Sequence, residues 1–209
     1  MPHIRQCTQP GCGLRFPAPD ATPEGFACPH CGSPTRFVLK VPAAAPTNLQ
    51  PPTGPEVEVL LDNIRSAWNV GSMLRSADGA GVRRVHFLGI SPTPDNPKTS
   101  KTALGAEVSV PWTYHADGLK ATQALKASGF RLWALESGLA SSSLFQAVQE
   151  LDSRPVGLVV GNELTGIDPE IVSTCERVVS IPMSGYKRSL NVAIAFGIAV
   201  YLLRFSSSL

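Results

Sequence analysis

Ile181-Pro-Met-Ser-Gly-Tyr-Lys-Arg-Ser-Leu-Asn-Val192 is the stretch on which the reading of this chain turns. Val178-Val-Ser-Ile181 has the β-branched run of a strand, and Pro182 stops it by removing a ladder donor. A glycine-containing basic loop follows, and then a helix start rich in side-chain donors, with Ser189 suited to an N-cap. From about Ser189 to Phe205 the helix is apolar nearly all round, which predicts burial on several sides. At the end of a chain that means a subunit interface or enclosure by other segments.

Working back toward the N-terminus, short apolar runs alternate with helical patterns. Val57–Leu61, Val85–Leu88, Arg131–Leu135 and Val156–Val160 join Val178–Ile181 as predicted strands. Val70–Ala80, Gly118–Ser128, Ser142–Leu151 and Pro169–Cys175 read as helices. Asp117 and Ser141 or Ser142 are candidate caps, and Asp168 with Pro169 forms a cap and first-turn pair. Strand–helix alternation predicts an α/β domain, a mostly parallel sheet with helices on both faces and ligands beyond the strands' carboxyl ends.

The 209 residues are 43% hydrophobic and 16% charged, too apolar for a disordered chain and long enough for one domain plus a small module. Net charge is only +2, so bulk charge does not name the partner. The longest largely apolar run, Leu190 to Leu203, has 14 residues, short of the ~18–20 of a membrane span. The first residues lack the apolar stretch of a signal peptide. The expectation is a cytoplasmic protein without membrane association.

Composition changes near residue 55. Residues 1–55 hold 12 of the 19 prolines and four of the five cysteines, with four basic residues against two acidic ones. The other 154 residues carry 14 of each sign, so the positive excess sits on the small module. We divide the chain into a module at 1–40, a semi-stiff proline-rich linker at 41–55 and a large domain at 56–209. In the module, Cys7-x4-Cys12 and Cys28-x2-Cys31 form two short loops, each able to offer two thiolates to one tetrahedral ion. Gly13 and Gly32 follow the pairs and suit tight turns. About 40 residues with so few large apolar side chains need the stabilisation that bound zinc supplies. The pattern resembles a zinc ribbon; iron, two disulfides and free thiols are the alternatives. His3 and His30 are spare ligands. Cys175, in an apparent helix, reads as a packed thiol.

Neither G-x-G-x-x-G nor G-x-x-x-x-G-K-[ST] is present, which argues against dinucleotide and ATP sites. His86, in a strand, and His115, in a loop, read as structural. Three polar segments stand out instead. Asn63 to Gly81 follows a strand and opens a helix with Gly71 and Arg75 on one face. Val159-Val-Gly-Asn-Glu-Leu-Thr-Gly-Ile167 runs from a strand into a turn, and the third segment is Ile181 to Val192.

In this order the three resemble the motifs of the SPOUT superfamily of RNA methyltransferases, in particular its TrmH-type ribose 2′-O-methyltransferases. The resemblance covers roughly Val57 to Phe205. One departure is Ala193, where the family often has Ser. The resemblance implies a C-terminal trefoil knot, a homodimer with active sites at the subunit interface, and S-adenosylmethionine bound in the knot. By motif match, Leu158, Gly161, Ile181, Met183 and Leu190 would form its pocket. Asn69, Arg75, Glu163, Ser189 and Asn191 would form the catalytic set. Arg75 would hold the neighbouring phosphate and orient the ribose, because neutral arginine is costly. Asn69 and Asn191 would place ribose and donor, and Glu163 would order its loop or Asn69. The implied substrate is tRNA or rRNA, met by Lys98 and Lys101 in the proline-broken loop from Ser91 to Gly105, and by Lys187 and Arg188 beside Tyr186. Arg5, Arg15 and Arg36 of the module offer a further grip. The alternatives are a non-catalytic RNA-binding or assembly protein with the same fold, and methylation of a base nitrogen.

Overall fold

Cysteine knuckles and apolar strands build two compact units, Met1–Gln50 and Pro51–Leu209. The structure, a computed structural model, describes all residues except 20, 21, 24, 25, 44–48, 50, 139, 140 and 206–209. Much of the predicted linker therefore lies outside the described residues. Its last residues belong with the larger unit: the Thr53 and Gly54 amides donate to the Arg204 carbonyl at 3.0 and 2.8 Å.

The small unit is a three-stranded antiparallel sheet of β1 (His3–Cys7), β2 (Arg15–Ala18) and β3 (Thr35–Lys40), in the order β2-β1-β3. Gly13 and Gly32 take the left-handed conformation, φ 58° and 73°, that turns the chain after each cysteine pair.

In the large unit, β4 (Val57–Asp62), α1 (Ala67–Ala80) and β5 (Arg84–Leu88) come first, followed by α2 (Pro97–Ala103), α3 (Ala106–Ser109) and β6 (Trp112–His115). Then come α4 (Gly118–Ala127), β7 (Arg131–Leu135), β8 (Ser142–Ser143), α5 (Leu144–Ala147) and β9 (Val156–Val160). α6 (Pro169–Thr174), β10 (Arg177–Ser180) and α7 (Val192–Phe205) complete it. The seven strands run β6-β5-β4-β9-β7-β10-β8, and every pairing among them is parallel. β9 and β7 are buried at every position, as central parallel strands covered on both faces must be. One core layer packs α1 and α7 on Val57, Val59 and Leu61; the other packs α4 and α6 on Leu60, Leu132 and Val159.

Caps set most boundaries. Asp117 accepts from the Lys120 amide and Asp168 from the Glu170 amide, both as expected. α1 begins three residues earlier than predicted because Ser66 caps it, and Gly81 ends it at φ 64°. α7 begins later, at Val192, because the Asn191 side chain accepts from the Ala193 amide at 2.9 Å and caps it there in place of Ser189. The predicted helix over Ser142–Leu151 breaks into β8, one turn of α5 and a 3-10 turn at Val148–Glu150. Ser141, a predicted cap there, instead bonds the Ser180 hydroxyl at 2.9 Å. Two further expectations change: the proline-broken loop contains helix α2, and His115 closes strand β6. No helix among the described residues is long and apolar enough to cross a membrane.

Candidate functional site

Beyond the carboxyl ends of β9, β7 and β10 lies a cavity of about 480 Å³, within the range of small-molecule sites. Its walls come from Val160–Leu164, from Leu135–Ser137, and from the segment running from Ser180 into α7. A Cβ on Gly161 would strike the Gly166–Ile167 backbone, so only glycine lets the end of β9 pass so close to this turn. Gly166 itself sits at φ 76°, closing the turn by paired amide–carbonyl bonds with Asn162 at 2.9 and 3.1 Å.

Three segments far apart in sequence meet on the cavity rim. The Glu163 carboxylate accepts from the Arg65 amide at 2.9 Å, the Ser66 amide at 3.3 Å and the Asn69 Nδ2 at 2.9 Å. The Asn69 Oδ1 in turn accepts from the Asn191 Nδ2 at 3.3 Å. Glu163 thus lies at the start of α1, where orphan amides and the helix dipole favour a carboxylate. Burial pushes its pKa up, but these hydrogen bonds outweigh it and hold it below the ordinary carboxylate value. The Asn162 side chain adds a stitch, donating to the Asn63 carbonyl at 2.7 Å.

Of the candidate cofactor residues, Gly161, Ile181, Met183 and Leu190 line the cavity. Leu158 does not; it is fully buried in β9 as part of the core. Of the catalytic candidates, Glu163, Ser189 and Asn191 line the cavity, and Asn69 reaches it through its two partners. Arg75 stands apart from them. Seven residues after Trp68, it shares that residue's exposed face of α1, and among the described residues it makes no ion pair.

Lys98 and Lys101 are exposed on α2, and Lys187 and Arg188 are exposed in the loop before α7. Arg188 also lines the cavity, a placement its charge alone did not signal. Sequence reasoning missed Glu136 and Ser137, which follow β7 directly. Their only signal was position: polar residues just past the carboxyl end of a buried parallel strand. His86 bonds Glu58 at 2.8 Å and His115 at 3.0 Å, and neither histidine lines this cavity.

In the small unit the four predicted thiols converge. All four sulfurs lie within 4.8 Å of one another, with Cys7–Cys31 at 3.5 Å and Cys12–Cys28 at 3.8 Å. Tetrahedral zinc with bonds of about 2.3 Å sets its sulfurs roughly 3.8 Å apart, so the cluster has the dimensions of such a site. No disulfide joins any of the five cysteines. Hydrogen bonds from the Ser33 side chain and backbone bring the Cys31 thiol down to about 6, whereas burial pushes the Cys7 thiol up to about 12. His30 Nδ1 lies 3.5 Å from the Cys12 sulfur, whereas the His3 ring packs tilted against Phe37. Arg5, predicted as an RNA contact, is only 6% exposed and donates to the Thr35 hydroxyl and carbonyl. Arg15 and Arg36 remain exposed. Burial pushes the Cys175 thiol up to about 11, as expected of a packed thiol.

The sequence pattern of the SpoU rRNA Methylase family matches residues 56–201. A tRNA (guanosine(18)-2'-O)-methyltransferase of Thermus thermophilus is 29% identical over 148 residues, 70% of this chain and 73% of that protein. A 23S rRNA (guanosine(2553)-2'-O)-methyltransferase of Bacillus subtilis is 30% identical over 146 residues, 70% of this chain and 57% of that protein. Among solved structures, an AdoMet-bound rRNA methyltransferase from Sinorhizobium meliloti superposes with a TM-score of 0.66 at 29% identity, covering 74% of this chain and 58% of its own. The matched region thus spans just over half of these two rRNA enzymes.

Proposed function

The chain belongs to the SpoU rRNA Methylase family, and from that premise we propose that it transfers a methyl group from S-adenosylmethionine to a ribose 2′-hydroxyl of tRNA or rRNA. The observation that carries this reading is the hydrogen-bonded chain Glu163–Asn69–Asn191 on the rim of the cavity. It joins all three motif segments at one point. The cavity's residues fit the cofactor. Its charged lining is Glu136, Glu163 and Arg188, an acidic excess that suits a sulfonium. The close backbone approach at Gly161 suits recognition by main-chain groups.

When bound, S-adenosylmethionine supplies the electrophilic methyl group. The protein's part is placement and charge. Glu163 fixes Asn69 against the start of α1, and Asn69 with Asn191 offers amide groups to hold ribose and donor in line. Ser189 presents a hydroxyl at the same wall. Arg75 grips the phosphate next to the target ribose, and the 2′-proton is lost late, to water.

We further propose a homodimer, with the C-terminal segment threaded as a trefoil knot. Trp68 of α1 and Ile194 and Tyr201 of α7 are exposed apolar residues on two helices that pack together, and Arg75 shares the Trp68 face. A second copy covering that face would bring its Arg75 toward an active site at the interface. Zinc on Cys7, Cys12, Cys28 and Cys31 would hold the ribbon together, and cysteines without disulfides suit a reducing cytoplasm. RNA would meet Lys98 and Lys101 on α2, Lys187 and Arg188 in the loop before α7, and Arg15 and Arg36 on the ribbon, where β1–β2 and β1–β3 pairing sets both beside Gln6 in one row across the sheet.

The test is labelled-methyl transfer from S-adenosylmethionine to separate pools of modification-free tRNA and rRNA. Incorporation into one pool is expected. None, from protein that binds the cofactor and carries zinc, would favour a non-catalytic RNA-binding protein.

A further inference from the structure

Glu136 has acceptor capacity that the fold leaves unused. It follows β7 directly, and its amide donates to the Val179 carbonyl at 3.0 Å, which anchors its backbone to β10. Its carboxylate accepts from the Ile167 amide at 3.1 Å and from the Ser137 amide at 3.0 Å. It lies across Gly166, where a Cβ would come within 2.5 Å of its Oε2. An ionised carboxylate offers about four acceptor sites, and these contacts fill two. Among the described residues no cation pairs with Glu136, although it lines the cavity. The other carboxylate of the lining, Glu163, is engaged by three donors at the start of α1.

Glu136 is therefore the acidic group of this cavity with acceptor sites still free. It stands at the end of β7, which β9 separates from β4, whereas Glu163 is bonded to the start of α1. We infer that Glu136 is a cofactor-specificity residue whose carboxylate accepts hydrogen bonds from the 2′- and 3′-hydroxyls of the ribose of S-adenosylmethionine. The assignment rests on the cofactor reading above. A vicinal diol presents two neutral donors that match the two oxygens of a carboxylate. The ammonium of the methionyl tail would also attract Glu136, but it brings an α-carboxylate on the same carbon, which Glu136 repels. The same lining supplies Arg188 for that group.

The test is calorimetric binding to the full-length protein and its Glu136→Gln variant, with melting temperatures taken in parallel. Glutamine keeps a carbonyl acceptor for the Ile167 amide and removes the charge. Three ligands separate the contributions: S-adenosylhomocysteine, the same molecule without its 2′- and 3′-hydroxyls, and 5′-methylthioadenosine, which keeps the ribose and lacks the amino-acid tail. The unsubstituted protein is expected to prefer the intact ribose by about 10–100-fold, the worth of hydrogen bonds to a charged group. Glu136→Gln should reduce that preference to within about threefold, weakening S-adenosylhomocysteine and 5′-methylthioadenosine together. An unchanged preference would overturn the assignment. So would equal weakening of all three ligands, which would mean a role through the Gly166 turn, or a loss confined to S-adenosylhomocysteine, which would mean the ammonium. Failure of the unsubstituted protein to bind any of them would instead overturn the cofactor reading, and the assignment with it.

Discussion

Among the described residues Glu163 has no partner of opposite charge, yet it is held by three donors, two of them backbone amides at the start of a helix. In the proposed mechanism that geometry gives it the role of positioning Asn69. Glu163→Gln is expected to cut kcat about tenfold with a smaller change in KM, while the fold persists. Because its pKa is lowered in the folded state, its stabilising contribution is complete above the ordinary carboxylate range and is lost as pH falls through the lowered value. Melting temperatures of wild type and Glu163→Gln should therefore differ at neutral pH and converge in acid. Arg75 differs in kind, since it is exposed and stands outside the cavity. Arg75→Ala should lower turnover by roughly 100-fold or more, with cofactor affinity unchanged; a parallel loss of affinity would place Arg75 in the pocket. The meeting of Asn69, Glu163 and Asn191 was legible because each lies in a motif. Glu136 was not, because nothing in its neighbours Leu135 and Ser137 marks a carboxylate as facing a ligand. Arg5 misled, because a charge count cannot separate a surface guanidinium from one bonded to Thr35.

At the scale of elements, apolar runs located the central strands well: Arg131–Leu135 and Val156–Val160 were read to the residue. Edges were harder. β6 is an edge strand only partly buried, so Trp112–His115 lacks the continuous apolar signal of its neighbours. Helix α2 was hidden by three prolines, although Pro97 occupies the first turn and Asn96 caps it by accepting from the Lys98 amide. A proline just after a capping residue starts a helix; it does not break one. With zinc bound as proposed, the small unit would depend on its ligands in a way the large sheet does not, since its strands leave Phe37 and Leu39 exposed. Stripping zinc with a chelator should unfold residues 1–50 with release of about one zinc per chain, leaving the melting of the larger unit in place. Metal analysis paired with calorimetry reads both. In the full chain, Arg15→Ala with Arg36→Ala should weaken RNA binding and lower the slope of log affinity against log salt by about 1 per contact. An unchanged slope would assign the ribbon to a protein partner.

For the whole molecule, the all-round apolar character of the last helix is the sequence feature on which the proposed dimer rests. In a single chain α7 buries Phe196, Ala199, Val200 and Leu203, yet leaves Ile194 and Tyr201 exposed. Tyr201 lies beside Gly79 of α1, which ties the two exposed faces into one. Ile194→Glu or Tyr201→Glu should yield a monomer by light scattering and abolish methyl transfer, with the fold intact by circular dichroism. Active monomers would remove the interface from the account.

The central claim is methyl transfer to a ribose oxygen. Alkaline hydrolysis of RNA labelled by this protein tests it most directly, because a 2′-O-methyl group blocks cleavage of the adjacent phosphodiester. Label in an alkali-stable dinucleotide is the expected result. Label released in mononucleotides, on the base, would contradict it.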